Sequence, residues 1–196
     1  MNLSNFCTMS DGTVIPNPKY RKSLQPKIAK AQRRVSRRLE RAKADGRPLK
    51  GAKNYQKVRR QLAELHRKAT RQREDFIGRI SSDVVKNHDF IAVEHLNIKG
   101  LLKNHKLAMA ISDAGWYKFH TAVSQKAASE GIPFIRVPAK NTTQKCSRCG
   151  HICHGDEKVI LGQDEWICPE CGTPNLRDVN AAINILRLGL QMMSDA

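Results

Sequence analysis

The sequence predicts an α/β fold, and three features predict it. First, Asp89 to Ile98, DFIAVEHLNI, is a compact apolar run with β-branched residues, Leu107 to Glu130 repeats its apolar residues at helical spacing, and IPFIRV (132 to 137) reads as a second strand. A helix between two strands is the crossover unit that lays strands side by side in one sheet. Second, from Tyr20 to Val85 the composition shifts to Lys, Arg, Gln, Ala and Leu, broken only by Asp45-Gly46-Arg47-Pro48 and Gly51. That pattern predicts two long helices folded back as a helical hairpin. Third, four cysteines stand in two C-x-x-C pairs near the C-terminal end.

The remaining elements follow from local signals. Residues 3 to 15, LSNFCTMSDGTVI, place two short apolar segments around Ser10-Asp11-Gly12, the turn chemistry of a β-hairpin, and Pro16 and Pro18 end the extended stretch. The segment 107 to 130 offers Ala110, Ile111, Ala114, Phe119, Val123 and Ala127 to one buried side, and Gly131 stops it. After the cysteines, NAAINILRLGL (180 to 190) predicts an apolar-faced closing helix. No internal repeat is present.

Charge points to the class of partner. Thirty-five Lys and Arg against eighteen Asp and Glu leave +17, with a sequence pI near 10.0. A compact chain tolerates that self-repulsion best beside a polyanion, so nucleic acid is the first candidate, and no small-molecule substrate is indicated. A membrane surface also attracts such charge, but no apolar run reaches the roughly 18 residues a bilayer span needs. The opening MNLSNFCTMSDGT has no basic n-region and no long apolar stretch, so the expectation is a cytoplasmic protein without a signal peptide. In that reducing compartment the cysteines read as metal ligands rather than disulfides.

Cys146, Cys149, Cys168 and Cys171 follow C-x2-C-x18-C-x2-C, in KCSRCG and ICPECG. Each C-x-x-C aims two thiolates at one ion, and Gly150 and Gly172 free the backbone to curl behind them. Four soft sulfur ligands suit Zn2+ and leave no open coordination position, so the zinc is structural. Cys153 lies close enough to compete for the same ion. KVILGQDEWICP reads as the hairpin of a zinc ribbon, with Trp166 packed against the knuckle.

QRRVSRRLER (32 to 41) sets Arg33, Arg34, Arg37, Arg38 and Arg41 within ten positions, and Lys57, Arg59, Arg60, Arg67 and Lys68 continue the charge on the second helix, with Arg71 and Arg73 beyond. A solvated face is one reading. Acids are too sparse to neutralise it by i,i+4 pairing, which favours a stripe that follows phosphates, supplying affinity without sequence choice. Few aromatics interleave, so base stacking is not prominent.

Two carboxylates stand out. Glu94 ends the apolar strand on the same alternating face as Phe90 and Ala92; it is either paired with His95 or an Arg, or a metal ligand. Asp178 opens the last helix as an N-cap or as a ligand. Together they suit a divalent cation of the kind used in phosphodiester hydrolysis.

The order of VEHLNIKGLLKNHKLAMAISDAGW, KCSRCGH, WICPECGT and RDVNAAINIL resembles the C-terminal half of TnpB, the transposon-encoded relative of type V CRISPR effectors, from about residue 3 to 188. The resemblance implies an RNase H-like (RuvC) mixed sheet, a long helical-hairpin insertion at about 20 to 85, and an inserted four-cysteine zinc ribbon. It implies a truncated RuvC-like domain over 1 to 140, the ribbon over 141 to 176, and a final helix and tail over 177 to 196. It also implies an RNA-guided DNA endonuclease of transposition that uses Mg2+ or Mn2+, with DNA and a guide RNA as partners. By motif, Glu94 is similar to the family's second catalytic acid and Asp178 to its third. The family's first acid precedes the stretch matching LSNFCTMSDGTVIPNP, where this chain has Met1-Asn2. The expectation is therefore a nuclease that is weak or inactive alone. The alternative is a non-catalytic DNA- or RNA-binding ribbon protein, a regulator or a partner of a full-length copy.

Overall fold

The computed structural model describes residues 3–160 and 162–195; Met1, Asn2, Leu161 and Ala196 lie outside them. Strands β1 (Asn5–Thr8) and β2 (Val14–Pro16) pair antiparallel, as the hairpin signal predicts. The turn is closed by Met9 N–H to Thr13 O at 2.9 Å and by Thr13 N–H to the Asp11 carboxylate at 2.8 Å. Helices α1 (Tyr20–Ala44) and α2 (Lys53–Lys86) form the expected hairpin, seamed by Leu24, Ile28 and Ala69 with Leu62 and Leu65 against them.

The start of α1 has no side-chain cap of its own, and Lys19 before it takes a left-handed backbone at φ 49°. Its cap comes from far along the chain: the Asp113 carboxylate accepts Arg21 N–H at 3.0 and 3.1 Å. Arg73 of α2 pairs with the same carboxylate at 2.8 Å and also donates to the Asp113 carbonyl. A buried acid is thus held by a guanidinium and a helix N-terminus together, and it fixes the hairpin to the core.

Strand β3 (Ile91–Glu94) pairs parallel with β4 (Phe134–Val137), Ile91 opposite Phe134 and Glu94 opposite Val137. The expected single helix from 107 to 130 is instead two, α4 (Ala108–Ala114) and α5 (Trp116–Ser129), after a short α3 (Ile98–Leu101). Gly115 breaks it at φ 72°, and a side chain there would meet Arg73 Cδ at 2.9 Å. The glycine both reverses the backbone and makes room for the arginine that anchors Asp113. The core joins Phe6, Ile77, Ile91, Trp116, Phe119 and Val123, with Phe6 edge-on to Phe76 and Phe119 at 5.0 Å each. From α5, Lys126 Nζ donates to Gly78 O and the Ser81 and Ser82 hydroxyls of α2 at 2.6–2.8 Å.

Strands β5 (Glu165–Ile167) and β6 (Pro174–Leu176) pair antiparallel ahead of α6 (Arg177–Ser194). The ribbon's hairpin therefore spans the second cysteine knuckle, rather than lying within KVILGQDEWICP. Helix α6 lies against β3: a Cβ on Gly189 would stand 2.6 Å from Ala92 Cβ and 3.1 Å from Phe90 Cζ. Since alternate strand residues share a face, the face bearing Phe90, Ala92 and Glu94 is the one α6 covers. Among the described residues no ladder joins β1–β2 to β3–β4, and no helix is long and apolar enough to cross a membrane.

Candidate zinc ribbon, carboxylate pair and basic faces

The four predicted cysteines converge. Their sulfurs all lie within 4.8 Å of one another, with Cys146 to Cys171 at 3.8 Å and Cys149 to Cys168 at 3.6 Å. Zn–S bonds of about 2.3 Å in a tetrahedron require S···S near 3.8 Å, close to these two separations, so the cluster is of the size zinc needs. Each knuckle closes as the sequence predicts: Gly150 N–H meets Cys146 O and Gly172 N–H meets Cys168 O, both at 2.9 Å, with φ of 83° and 66°. Thr173 hydrogen bonds pull the Cys171 thiol down to about 6, toward the thiolate a metal requires. Trp166 is buried with Cys146, Cys153, Val159 and Cys168. Cys153 does not displace any of the four; it groups instead with His151 and Glu157.

Two asparagines that sequence reasoning missed bind this module to α6. Asn180 accepts Ser147 N–H at 2.7 Å and donates to Lys145 O at 2.8 Å; Asn184 donates to Lys145 O and Thr142 O at 2.7 and 3.0 Å. Both are almost fully buried. Four residues apart, they share one face of α6, so amides from consecutive turns of the helix converge on the 142–147 loop. Arg187, one turn on, donates to Ser147 O. The signal was available: two Asn at i,i+4 in the apolar stripe NAAIN need buried partners.

Glu94 is half-buried, and its partner is neither His95 nor an arginine: the buried Thr142 hydroxyl donates to Glu94 Oε1 at 2.7 Å. It borders a mainly apolar cavity of about 140 Å³ between β1, β3 and α6. Asp178 stands in the first turn of α6, but the N-cap position belongs to Leu176, so the capping reading fails. Arg177 Nε approaches the Asp178 carboxylate at 3.6 Å while its Nη2 reaches Asp164 at 3.4 Å. The structure thus places the two acids on packed elements, β3 and α6. Asn184, tied to Thr142, is six residues or about 9 Å along the axis from Asp178. Among the described residues, no group of three ligating side chains includes either acid.

On the hairpin, Arg33, Arg34, Arg37, Arg41, Lys57, Arg59, Arg60, Arg67 and Lys68 are exposed and Arg38 is half-buried. Arg67 pairs with Glu64 at 3.1 Å. Arg34, Arg37, Arg38 and Arg41 line one groove with Arg47 and Lys53 at the hairpin's closed end. A second basic cleft, which the sequence did not announce, gathers Lys140, Lys145, Arg148 and Arg187 beside the first knuckle.

A family profile described as "Probable transposase", of the OrfB type, matches residues 1–105, more than half of the chain. The chain belongs to this TnpB/OrfB-type transposon family. A second profile, "Cas12f1-like, TNB domain", matches residues 116–185 of the transposon protein. It is 36% identical over 189 residues to a "Putative RNA-guided DNA endonuclease" of Streptomyces pristinaespiralis, covering 96% of this chain and 44% of that relative. It is 30% identical over 203 residues to the protein InsQ of Escherichia coli K12, with the same description, covering 95% and 47%. The chain therefore spans about half the length of these relatives. A structure of a Cas12f1–sgRNA–target DNA complex shares its fold at TM-score 0.54 and 18% identity, over 88% of this chain and 43% of that one.

Proposed function

We propose that this chain is the RuvC-like and zinc-ribbon part of a transposon-encoded, RNA-guided DNA endonuclease, and that alone it binds nucleic acid with weak or no cleavage. The observation that carries the reading is the packing of α6, which bears Asp178, on the β3 face that bears Glu94. The parallel β3–β4 pair with its helical crossover and the β1–β2 hairpin support an RNase H-like arrangement, divided as 1–140, 141–176 and 177–196. The asparagine clamps hold the ribbon to the helix that starts at the nuclease carboxylate, so zinc supports one wall of the site.

Glu94 and Asp178 are the carboxylates that would hold Mg2+ or Mn2+, a metal that would supply the Lewis acid for phosphodiester hydrolysis. Oxygen donors fit those hard cations, but two carboxylates are a thin set for either ion. Thr142 orients Glu94 by occupying one oxygen and leaves the other for a ligand. The exposed arginines and the cleft of Lys140, Lys145, Arg148 and Arg187 supply the phosphate contacts for DNA and guide RNA.

A nuclease assay with Mg2+ or Mn2+ tests this, comparing wild type with Glu94→Gln and Asp178→Asn. The expected result is nucleic-acid binding in all three and cleavage at or near background in all three. Strong wild-type cleavage that both substitutions abolish would restore a competent enzyme. Binding without any metal-dependent cleavage by wild type also suits the second reading, a non-catalytic regulator or a partner of a full-length copy, which the lack of a three-ligand group at either acid among the described residues favours.

A further inference from the structure

We propose a second zinc site in the ribbon, built from His151, Cys153 and Glu157. Their ligand atoms lie within 4.8 Å of one another, and His151 Nε2 stands 2.9 Å from Glu157 Oε2. A thiol, an imidazole and a carboxylate are the mixed donors of zinc sites that hold three protein ligands and keep a fourth position for water. The burial matches that division: Cys153 is closed off from solvent, His151 is partly open and Glu157 is more open. The free position therefore faces solvent.

The backbone holds this arrangement through the first knuckle. Cys146 N–H donates to His151 O at 2.8 Å and Cys153 N–H to Gln144 O at 3.0 Å, with Lys145 and Ile152 bridged between them. Residues 151 and 153 are two apart on an extended arm, so they share a side. The short helical turn Gly155–Glu157, entered through Gly155 at φ 55°, brings the carboxylate back over them. A plain His–Glu ion pair at the surface contributes little and needs no buried thiol beneath it.

Electrostatics favour the second ion. Zinc with four thiolates carries a net charge of −2, and Cys153 packs against Cys146 and Cys168 of that shell. A dication held by one thiolate and one carboxylate is neutral overall, and it places its positive centre beside the anionic cluster. Binding releases the Cys153 proton to solvent and leaves all five sulfurs reduced.

This inference rests on the ribbon alone and is independent of the nuclease reading. The test is metal content and Co2+ substitution of the full chain. At saturating free Zn2+ the wild type should hold two zinc per chain, and Cys153→Ser, His151→Ala and Glu157→Gln should lower this toward one. Co2+ titration should show two phases, the weaker lost in the variants, while the intense tetrathiolate charge-transfer band persists. One zinc in wild type, or two in all three variants, would overturn the proposal. Should Cys153→Ser lose both metals by unfolding, the His151 and Glu157 variants decide, since those side chains reach solvent.

Discussion

Gly189→Ala tests the packing that brings α6 to β3. The added Cβ would lie 2.6 Å from Ala92 Cβ, against an ordinary carbon separation of about 3.5–4.0 Å. Ala92 Cβ is fixed to the strand backbone and no rotamer moves it, so helix and strand must part by about 1 Å. Overpacking of this kind costs about 1–3 kcal/mol, and the gain in helix propensity from Gly to Ala returns up to about 1. The net expectation is a loss of about 1–2 kcal/mol, read as a lower denaturant midpoint and a melting temperature lower by roughly 2–8 °C. Ala92→Gly in the same chain should recover much of that loss, so the double-mutant cycle should show coupling of about 1 kcal/mol or more. Equal or higher stability for Gly189→Ala alone, or additive effects in the pair, would refute the close contact between α6 and the Glu94-bearing face.

Zinc chelation should unfold the ribbon, since metal binding supplies on the order of 10 kcal/mol to a module with so small a core; alkylation of all four cysteines on chelation checks it, and persistent protection counts against it. Arg37→Glu with Arg41→Glu should weaken duplex DNA binding uniformly across sequences and flatten the log K against log salt slope by about 2, measured by fluorescence anisotropy. His120 is buried, its Nε2 has no hydrogen-bond partner among the described residues, and burial, then Arg136, hold its pKa down at about 4 against 6.5. The unfolded chain therefore takes up a proton that the folded one refuses. Stability should be level above pH 6.5, fall by up to about 3 kcal/mol as pH drops to 4, and level off below, a dependence that His120→Gln should reduce in urea titrations.

The thiolate pairs were legible because C-x-x-C geometry is local: two ligands and a glycine-assisted turn lie within five residues, whatever the rest of the chain does. The hairpin helices were legible from periodicity, and their charge from composition. The break at Gly115 was not, because 107 to 130 keeps helical spacing across it and the side chain packed against the glycine is Arg73, forty-two positions earlier. Glu94 was recognised as an awkward acid, yet its partner Thr142 is forty-eight residues away and carries no local mark. Cys153 looked like a competitor for the zinc until the fold turned it toward His151 and Glu157.

By itself, then, the sequence determined the family, the four cysteines of the candidate zinc site, the basic hairpin and the two candidate acids, since each is written in residue type at short spacing. Tertiary structure alone decided that Asn180 and Asn184 clamp the ribbon to the helix bearing Asp178, that Lys140, Lys145, Arg148 and Arg187 share a cleft, and that α6 covers the Glu94 face. These depend on which surfaces meet when apolar faces are buried, and residue spacing along the chain does not encode that directly.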